Sequence, residues 1–406
     1  MNAYDLAVIG AGPAGLSAAL TAAQAGAKVV VVDENPVPGG KLLGQLHQES
    51  SGSWWVGKNT ASDLVQQARA AGVTLMTNRK VWALSPGWKL ALNGSQSILA
   101  AQIVIATGAA ERAIPIPGWT IPGVMAIGAA QTLTNYYRVR PGERIAVVGV
   151  DPLSLTVAQE LAMAGAEVIG IFLPPTGPFS KERADPRQVL RYLSTLAHLA
   201  PNPLLQAGGR LMKTSVLQGL AAKFYPRHGV SMLGTKLRLR QSITAIYGRE
   251  RVHGIRVTDV DHQGRPTTRS TTLDVDCVCI SGGLYPVQEL TTGCEIVRID
   301  ELGGQVPLYS LELETTRKNL FVAGNVMGIE GAKVAMAQGT LAGCAVAVRL
   351  GLLDETAIQR ASQKVGEARE ASAITFEPEI HAGRRQAEEL WRLRAAAARD
   401  QEQENA

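Results

Sequence analysis

The residues of this sequence best suited to chemistry are three glycines and an acidic residue near its start. Gly10, Gly12 and Gly15 form a GxGxxG motif, and Asp33 follows at the interval expected for an acid that binds ribose hydroxyls. The first glycine of such a motif permits a tight turn, the second lets a pyrophosphate approach the backbone, and the third lets a helix lie against a strand. These residues predict a dinucleotide-binding site.

The elements around the motif are those needed to position it. Leu6–Ile9 is an apolar run typical of a buried strand, small residues after the motif predict a helix to Ala25, and Val29–Val32 is a second buried strand. The helix begins at the motif, so its free N–H groups and partial positive charge are available to phosphates. A structural glycine turn with no ligand is the alternative, and it stays open.

Later segments predict further contacts with the same ligand. Residues 34–42 form a Pro- and Gly-rich loop that rejoins the site, and Ile103–Gly108 is a buried strand that ends in a turn. Leu320–Asn325 is another such strand, and a helix of small residues opens near Ala332. Ligands of parallel sheets bind beyond the carboxyl ends of the strands. Asn325 is therefore expected to hydrogen-bond a polyol chain.

A second copy of the strand–turn–helix–strand pattern occurs later in the chain but lacks the ligand-binding residues. Aligned without gaps, it has Gly149 in the first glycine position, Asp151 in the second and Ser154 in the third, with Phe172 in the place of Asp33. A carboxylate beside a pyrophosphate is electrostatically unfavourable, and phenylalanine cannot bind a ribose hydroxyl. We expect a Rossmann-like domain with poor or no NAD(P) binding; a different nucleotide in another pose stays open.

The composition is that of a globular protein with two or three domains. The chain has 406 residues, a formal net charge of +5 spread along its length and four cysteines. This small charge makes no case for nucleic-acid binding, and the cysteines are too few for a disulfide framework. The first residues already form a strand, and no apolar run of about 18 residues occurs. We therefore expect a cytoplasmic chain without a signal peptide or a membrane-spanning segment.

The sequence has no recognisable catalytic constellation. No Ser–His–Asp arrangement has a motif context, and no spacing of His, Cys, Asp and Glu matches a metal site. Cys277 and Cys279 are two residues apart on a predicted strand, so they share one face. We interpret them as buried small apolar side chains. We assign no catalytic residue and no metal ligand.

The order of these segments resembles the two-domain flavoproteins of the pyridine nucleotide–disulfide oxidoreductase superfamily. More narrowly, several stretches are similar to the large nucleotide-binding alpha subunits of heteromeric amine and amino-acid dehydrogenases. That group includes opine and hydroxyproline dehydrogenases, hydrogen cyanide synthase and heterotetrameric sarcosine oxidase. The stretches are DENPVPGGKL, IPIPGWTIPGVMAIGAAQTL, VGVDPLSL, ISGGLYPVQEL and VAGNVMGIEGAKVAMAQGTLAG. The resemblance covers about residues 4–350.

The resemblance implies an α/β fold with two Rossmann-like dinucleotide-binding domains, the second inserted in the first, and a C-terminal helical tail. Residues 1–120 and 283–350 would form a discontinuous FAD-binding domain. Residues 141–282 would form the NAD-like domain with the degenerate motif, and 351–406 the tail. The tail is rich in Ala, Glu, Gln and Arg, which predicts a solvated or partner-packing pair of helices.

The resemblance also implies which residues contact FAD. They are Gly10, Gly12, Pro13, Ala14, Gly15, Asp33, Glu34, Gly40, Lys41, Val81, Thr107, Gly108, Gly324, Asn325 and Ala332. Two of them depart from the family's pattern, since Lys41 stands in place of a Gln and Asn325 in place of an Asp.

The resemblance further implies partners. A small amine or amino acid would be oxidised on a beta flavoprotein subunit, and the pattern leaves room for a second flavin, FMN, where the two proteins meet. The tail has no cysteine cluster, so any [2Fe–2S] centre of the system would lie on another, small subunit. The chain is then expected to be an FAD-dependent oxidoreductase subunit of a hetero-oligomer that serves assembly and electron transfer.

Two alternatives remain. The chain could be a non-catalytic scaffold that holds FAD or another adenine nucleotide only to stabilise its partner, and a colourless chain with a bound nucleotide would favour this alternative. It could also be a self-contained NAD(P)H-dependent flavin reductase, which tight NADPH binding with rapid flavin reduction would favour. The sequence has no CxxC or CxxxxC pair, which the disulfide reductases of the superfamily require.

Overall fold

The computed structural model describes residues 3–49, 52–195, 215–232, 234–372, 376–377 and 379–404. The chain divides into two units: unit 1 comprises Met1–Leu43, Gly57–Ala110 and Leu284–Ala406, and unit 2 comprises Gly44–Val56 and Glu111–Gly283. The main segment of unit 2 is therefore inserted into unit 1 along the chain, as the sequence predicts.

The described helices and strands alternate for much of the chain. The α-helices are α1 (Pro13–Gln24), α2 (Gly57–Ala70), α3 (Ile127–Asn135), α4 (Pro152–Met163), α5 (Pro186–Thr195), α6 (Ser215–Phe224), α7 (Ala332–Arg349), α8 (Glu355–Glu370) and α9 (Ile380–Glu404). The strands of the N-terminal part are β1 (Ala3–Ile9), β2 (Val29–Val32), β3 (Leu46–Gln48), β4 (Trp54–Val56), β5 (Thr74–Met76), β6 (Val81–Ser85), β7 (Lys89–Leu92), β8 (Ser97–Ile105) and β9 (Ala109–Glu111). They are followed by β10 (Val124–Ala126), β11 (Arg144–Val148), β12 (Glu167–Leu173), β13 (Val230–Met232), β14 (Thr235–Gly248), β15 (Val252–Val260), β16 (Pro266–Asp274), β17 (Cys277–Ile280), β18 (Leu284–Pro286), β19 (Ile296–Ile299), β20 (Gly304–Pro307) and β21 (Leu320–Val322).

The main sheet of unit 1 has the strand order β5-β2-β1-β8-β7-β6, with β21 also paired to β8. The strands β5, β2, β1, β8 and β21 are parallel, and their apolar sequences suit a sheet covered on both faces. Ile9 lies opposite both Val32 and Ile105, and Val322 also lies opposite Ile105. The carboxyl ends of β1, β2, β8 and β21 are therefore level with one another.

Helices α1 and α7 pack closely because small residues face each other. A Cβ atom on Gly339 would overlap the carbonyl oxygen of Ala14, and one on Gly343 would lie 2.6 Å from the carbonyl oxygen of Ala18. Helix α1, whose first turn carries the glycine motif, is thereby fixed between the sheet and α7.

The main sheet of unit 2 has the order β10-β17-β11-β12-β14-β15-β16, with β13 beside β14. Its first strands are parallel, and β14, β15 and β16 are antiparallel. On β17, Cys277 and Cys279 are fully buried and their Sγ atoms lie 3.9 Å apart. The interpretation of these residues as buried apolar side chains on one face is confirmed.

A β-bulge in unit 2 changes the alignment of the two Rossmann-like domains. Ile145 of β11 lies opposite Val168 of β12, whereas the next residue, Ala146, lies opposite Gly170. The bulge therefore adds one residue to β12 relative to β2.

Equivalent hydrogen bonds show the consequence. The N–H of Gly10 donates to the carbonyl oxygen of Val32 at 2.8 Å, and the N–H of Gly149 donates to that of Phe172 at 2.8 Å. Phe172 thus corresponds to Val32, and the ungapped alignment is wrong by one residue. Leu173, which is fully buried, takes the place of the acid, so the position is still apolar.

The predicted helical tail is confirmed as α8 and α9, which group with unit 1. The predicted domain bounds stay a prediction; by compactness, residues 44–56 group with unit 2. No helix among the described residues is both long and apolar enough to span a bilayer.

Candidate functional site

The carboxyl ends of four parallel strands in unit 1 bring the predicted site residues together. Because β1, β2, β8 and β21 end level, the residues that follow them, Gly10, Asp33, Ala106 and Ala323, lie along one edge of the sheet. Most of the predicted site residues belong to the turns that begin there. This edge is where ligands of open parallel sheets bind.

Gly10 and Gly15 have the steric roles that the sequence predicts, and Gly12 differs from both. Gly10 has a φ of 104° and a Cβ atom there would lie 2.5 Å from the carbonyl oxygen of Ala106. A Cβ atom on Gly15 would overlap the carbonyl oxygen of Gly10. At Gly12, by contrast, a Cβ atom would meet nothing within 4 Å. Gly10 and Gly15 therefore close the turn and pack the helix, whereas Gly12 faces open space.

The first turn of α1 is prepared for an anion. Gly12 is its N-cap residue, and no side chain caps the helix, while Pro13 occupies the first turn. The N–H groups of this turn have no intrahelical acceptors, and the helix dipole adds partial positive charge. The open space at Gly12 and these donors fit a pyrophosphate group.

Asp33 has a role in the turn that sequence reasoning did not reveal. Its Oδ2 accepts a hydrogen bond from the N–H of Ala11 at 2.6 Å, and its Oδ1 accepts from the backbone and side-chain N–H groups of Asn35 at 2.8 and 3.0 Å. The carboxylate therefore fixes the glycine turn. Each oxygen has further lone pairs, so ribose hydroxyls remain suitable donors to it.

Other predicted residues lie around this turn. A Cβ atom on Gly40 would come within 3.0 Å of the Cα atom of Gly12, and Gly39 N–H donates to the carbonyl oxygen of Ala11 at 2.7 Å, so the loop does return to the site. Lys41 is exposed. Glu34 is also exposed and lies 3.7 Å from the Lys80 ammonium.

Three further predicted residues, Val81, Thr107 and Gly108, belong to β6 or to the turn after β8. Val81 begins β6 and is buried in the core of unit 1, so its side chain contributes to packing. The Thr107 hydroxyl donates to the carbonyl oxygen of Val287 at 3.1 Å, and Val287 N–H donates to that of Gly108 at 3.0 Å. The turn after β8 is thus fixed to the segment that returns to unit 1.

The turn after β21 completes the edge. Gly324 has a φ of 79°, and a Cβ atom there would lie 2.9 Å from the Cβ atom of Ala14. The Oδ1 atom of Asn325 accepts from Glu330 N–H at 3.0 Å, which leaves the Nδ2 amide, a donor, to bind a ligand. Ala332 is the first residue of α7, whose N-terminus also has no side-chain cap.

A buried polar cluster beside this turn was missed by sequence reasoning. Gln338 accepts a hydrogen bond from Gly324 N–H at 3.0 Å and donates to Glu330 at 2.7 Å. Glu330 also pairs with the guanidinium groups of Arg369 and Arg384. Burial acts to raise the pKa of Glu330, but the two guanidinium groups outweigh it and hold that pKa below its usual value.

In unit 2 a side chain takes the place of a bound phosphate. Asp151 caps α4: its Oδ1 accepts from Ser154 N–H at 2.8 Å and its Oδ2 accepts from the Ser281 hydroxyl at 2.7 Å. Arg183 lies 3.7 Å from the same carboxylate. A carboxylate of the chain itself therefore occupies the start of α4. Together with Leu173, this arrangement does not fit a dinucleotide bound in the way predicted for unit 1.

We expect Asp151→Ala to lower the free energy of unfolding by about 2 kcal/mol, because it removes an N-cap and leaves a buried hydroxyl and N–H group without their acceptor. Asp354→Ala is the matched control, since Asp354 also caps a helix (α8) but is exposed. Urea unfolding of the two variants should show the larger loss for Asp151→Ala. Equal losses would contradict the buried role of Asp151.

Unit 2 also contains a buried carboxyl group that no sequence pattern singled out. Glu160 accepts hydrogen bonds from Gln131 at 3.2 and 3.1 Å and from Asn135 at 2.8 Å. Asn135 also donates to the carbonyl oxygen of Gly44 at 2.7 Å. Burial raises the pKa of Glu160 to about 8, although these hydrogen bonds lower it. Glu160 thus helps to attach residues 44–56 to α3 and α4 of unit 2.

The raised pKa of Glu160 predicts a pH dependence of stability. Below about pH 4.5 the group is protonated in both folded and unfolded chains, and between there and about pH 8 only the folded chain keeps the proton. The free energy of unfolding of the wild-type chain therefore falls as the pH rises through this range, by up to about 1.4 kcal/mol per pH unit. Glu160→Gln should become more stable relative to wild type between about pH 5 and about pH 7.5, by roughly 3 kcal/mol in urea unfolding. If the stabilities of wild type and Glu160→Gln changed in parallel with pH, the raised pKa of Glu160 would be wrong.

Comparison with known protein families identifies the family to which this chain belongs. A family model described as pyridine nucleotide-disulphide oxidoreductase matches residues 4–339. The chain belongs to this family. The match confirms the resemblance, and it makes the chain an oxidoreductase of a class that binds FAD or NAD(P).

Proteins similar to this chain include several named enzyme subunits. An opine oxidase subunit of Rhizobium meliloti is 30% identical over 87% of this chain and 64% of its own length. The alpha subunit of sarcosine oxidase from R. meliloti is 28% identical over 84% of this chain and 29% of its own length. The HcnB subunit of hydrogen cyanide synthase from Pseudomonas protegens is 24% identical over 87% of this chain and 72% of its own length. The chain thus spans less than two thirds of the length of the opine oxidase subunit.

Solved structures confirm the predicted fold class. L-proline dehydrogenase from P. horikoshii superposes with a TM-score of 0.64 at 18% identity, over 90% of this chain and 59% of that chain. Thioredoxin reductase from T. acidophilum superposes with a TM-score of 0.60 at 17% identity, over 86% of this chain and 99% of that chain. At these identities the likeness concerns the fold alone. The assignment of individual site residues stays a prediction.

Proposed function

We propose that this chain is the FAD-binding alpha subunit of a heteromeric, flavin-dependent amine or amino-acid dehydrogenase. In this proposal the chain serves assembly and electron transfer, and a partner beta subunit oxidises the substrate. The relatives support it because their names describe subunits of opine oxidase, sarcosine oxidase and hydrogen cyanide synthase.

The observation that carries the proposal is the contrast between the two glycine turns. In unit 1, Gly12 faces open space at the uncapped start of α1, and Asp33 lies beside it with free acceptor capacity. In unit 2, Asp151 occupies the equivalent helix start and Leu173 replaces the acid. The chain thus suits one dinucleotide, which we propose is FAD in unit 1, and does not suit NAD(P) in unit 2.

Bound FAD would accept a hydride or pass single electrons, so the chain needs no nucleophile of its own. Its residues bind and orient. We propose that the N–H groups of the first turn of α1 bind the pyrophosphate, that Asp33 accepts from the ribose and that the Asn325 amide donates to the polyol chain. Gly40 and Lys41 close the loop over Gly12.

The proposed partner rests on the relatives, whose names describe enzyme subunits. Oxidation of an amine to an imine replaces a C–H and an N–H bond with a C=N bond and releases two electrons and two protons. We place this step on a beta flavoprotein, with FMN as a second flavin at the interface between the two proteins. We place any [2Fe–2S] centre on a small further subunit, because the four cysteines of this chain are not clustered as ligands.

Purification of the tagged chain from its source under native conditions tests this proposal. We expect a second flavoprotein in fixed stoichiometry, and amine-dependent dye reduction by the complex that the isolated chain lacks. Amine oxidation by the isolated chain would contradict the division of labour. A colourless chain with a bound adenine nucleotide would instead support a scaffold.

A further inference from the structure

The buried cluster around Glu330 connects the two C-terminal helices to the proposed FAD site. Arg384 of α9 is 5% exposed, and its Nη1 donates to the carbonyl oxygen of Met327 and to the hydroxyl of Tyr309, both at 2.6 Å. Its Nη2 donates to the carbonyl oxygen of Gly328 at 3.3 Å and to Glu330. One side chain of the tail therefore binds two carbonyl groups at the end of the 324–328 turn.

The second helix of the tail binds the same carboxylate. Arg369 of α8 donates through Nε to Oε1 of Glu330 at 2.8 Å and through Nη2 to Oε2 at 3.3 Å. Glu330 immediately precedes Gly331, the N-cap residue of α7. Two helices separated from Glu330 by tens of residues thus fix the carboxylate at the N-terminus of α7.

Two hydrogen bonds of Gln338, which we call the relay, connect this carboxylate to the turn after β21 at the proposed FAD site. Gln338, which is 1% exposed, donates to Glu330 at 2.7 Å and accepts from Gly324 N–H at 3.0 Å. Gly324 in turn lies against Ala14 in the first turn of α1. The relay therefore runs from the tail arginines through Glu330 and Gln338 to the turn that faces α1.

Burying the charged groups of this cluster carries a desolvation cost. A buried ion pair is weak evidence for stability, because desolvation offsets much of the attraction. The Nε atom of Arg384 is buried without a hydrogen-bond partner among the described residues, an additional cost. Several apolar residues could attach the tail without this desolvation, but they would not fix the carbonyl groups and N–H groups of the turn.

We propose that Arg369 and Arg384 are positioning residues for the FAD site: through Glu330 and Gln338 they set the conformation of the Gly324–Met327 turn. This inference rests on the proposed function. The C-terminal helices then influence cofactor affinity, although none of the proposed FAD-binding residues lies on them.

Titration of apoprotein with FAD tests the inference, well below the melting temperature of each variant. Glu330→Gln/Arg384→Met removes both charges together and leaves Arg369 half-buried beside a neutral partner. We expect it to bind FAD at least about tenfold more weakly and to change the absorption spectrum of the bound flavin. Arg394→Met is the matched control, because Arg394 lies on the same helix but its ion pair with Glu295 is exposed.

Two further variants separate positioning from folding. Gln338→Met cuts the relay while both ion pairs remain, and it should reproduce the weaker binding. Arg384→Lys keeps the positive charge and should bind FAD more tightly than the double variant does. Unchanged FAD affinity and spectrum in Gln338→Met and in the double variant would overturn the inference while the proposed function stands. Failure of the wild-type apoprotein to bind FAD would overturn both.

Discussion

Gly12→Val should yield a folded protein with no detectable bound FAD. Gly12 has a φ of −78° and a ψ of −174°, an extended conformation that suits a β-branched residue. A Cβ atom there meets nothing within 4 Å, so the cost to stability is at most about 1 kcal/mol. The valine methyl groups would occupy the space needed for close approach of the pyrophosphate.

The measurement is the flavin absorbance of the purified variant together with its thermal unfolding. Gly366→Val is the matched control, since Gly366 lies on α8 of unit 1 and a Cβ atom there also meets nothing within 4 Å. We expect this control to keep the wild-type flavin content. Full FAD occupancy in Gly12→Val would place the cofactor elsewhere.

Gly15→Ala should instead damage the fold. The added methyl group would overlap the carbonyl oxygen of Gly10, a backbone atom at the edge of the sheet. Helix α1 would have to move away from β1, which we expect to cost about 3 kcal/mol. Unfolding of the apoprotein measures this loss without any contribution from the cofactor.

Gly366→Ala provides the reference for this second variant. It adds the same methyl group to an exposed helix position of unit 1 and should stabilise the protein by about 1 kcal/mol through helix propensity. If Gly15→Ala were as stable as wild type, the close contact between α1 and β1 would be wrong. The two glycine positions thus separate binding from folding within one motif.

The sequence predicted the strands and the helix around the glycine motif because these elements are encoded locally. Apolar runs at Leu6–Ile9 and Val29–Val32 flank the glycines, and these runs became adjacent parallel strands. The separate roles of Gly10, Gly12 and Gly15 follow from steric requirements that any such turn imposes. Repetition of the same pattern predicted the second Rossmann-like domain, and the family resemblance implied that this domain is inserted in the first.

The parts that the sequence did not predict depend on distant residues or on small irregularities. The bulge between Val168 and Gly170 shifts β12 by one residue. Gly170, a glycine inside the strand with a φ of 155°, is the one local signal of it, and the ungapped alignment did not use that signal. The pairing of Glu330 with Arg384 joins residues 54 apart, so no periodicity reveals it. The tail was predicted as a solvated or partner-packing helix pair, whereas Arg384 is buried in unit 1.

The most direct test of the central claim is the absorption spectrum of the purified chain, with the released nucleotide identified by mass spectrometry, before and after anaerobic addition of NADH and NADPH. We expect about one FAD per chain, since of the two described glycine turns only that of unit 1 fits a dinucleotide. We expect the flavin to stay oxidised, because Asp151 fills the equivalent site of unit 2. A chain without flavin, or rapid bleaching by NAD(P)H, would contradict the assignment of this chain as an electron-transfer subunit.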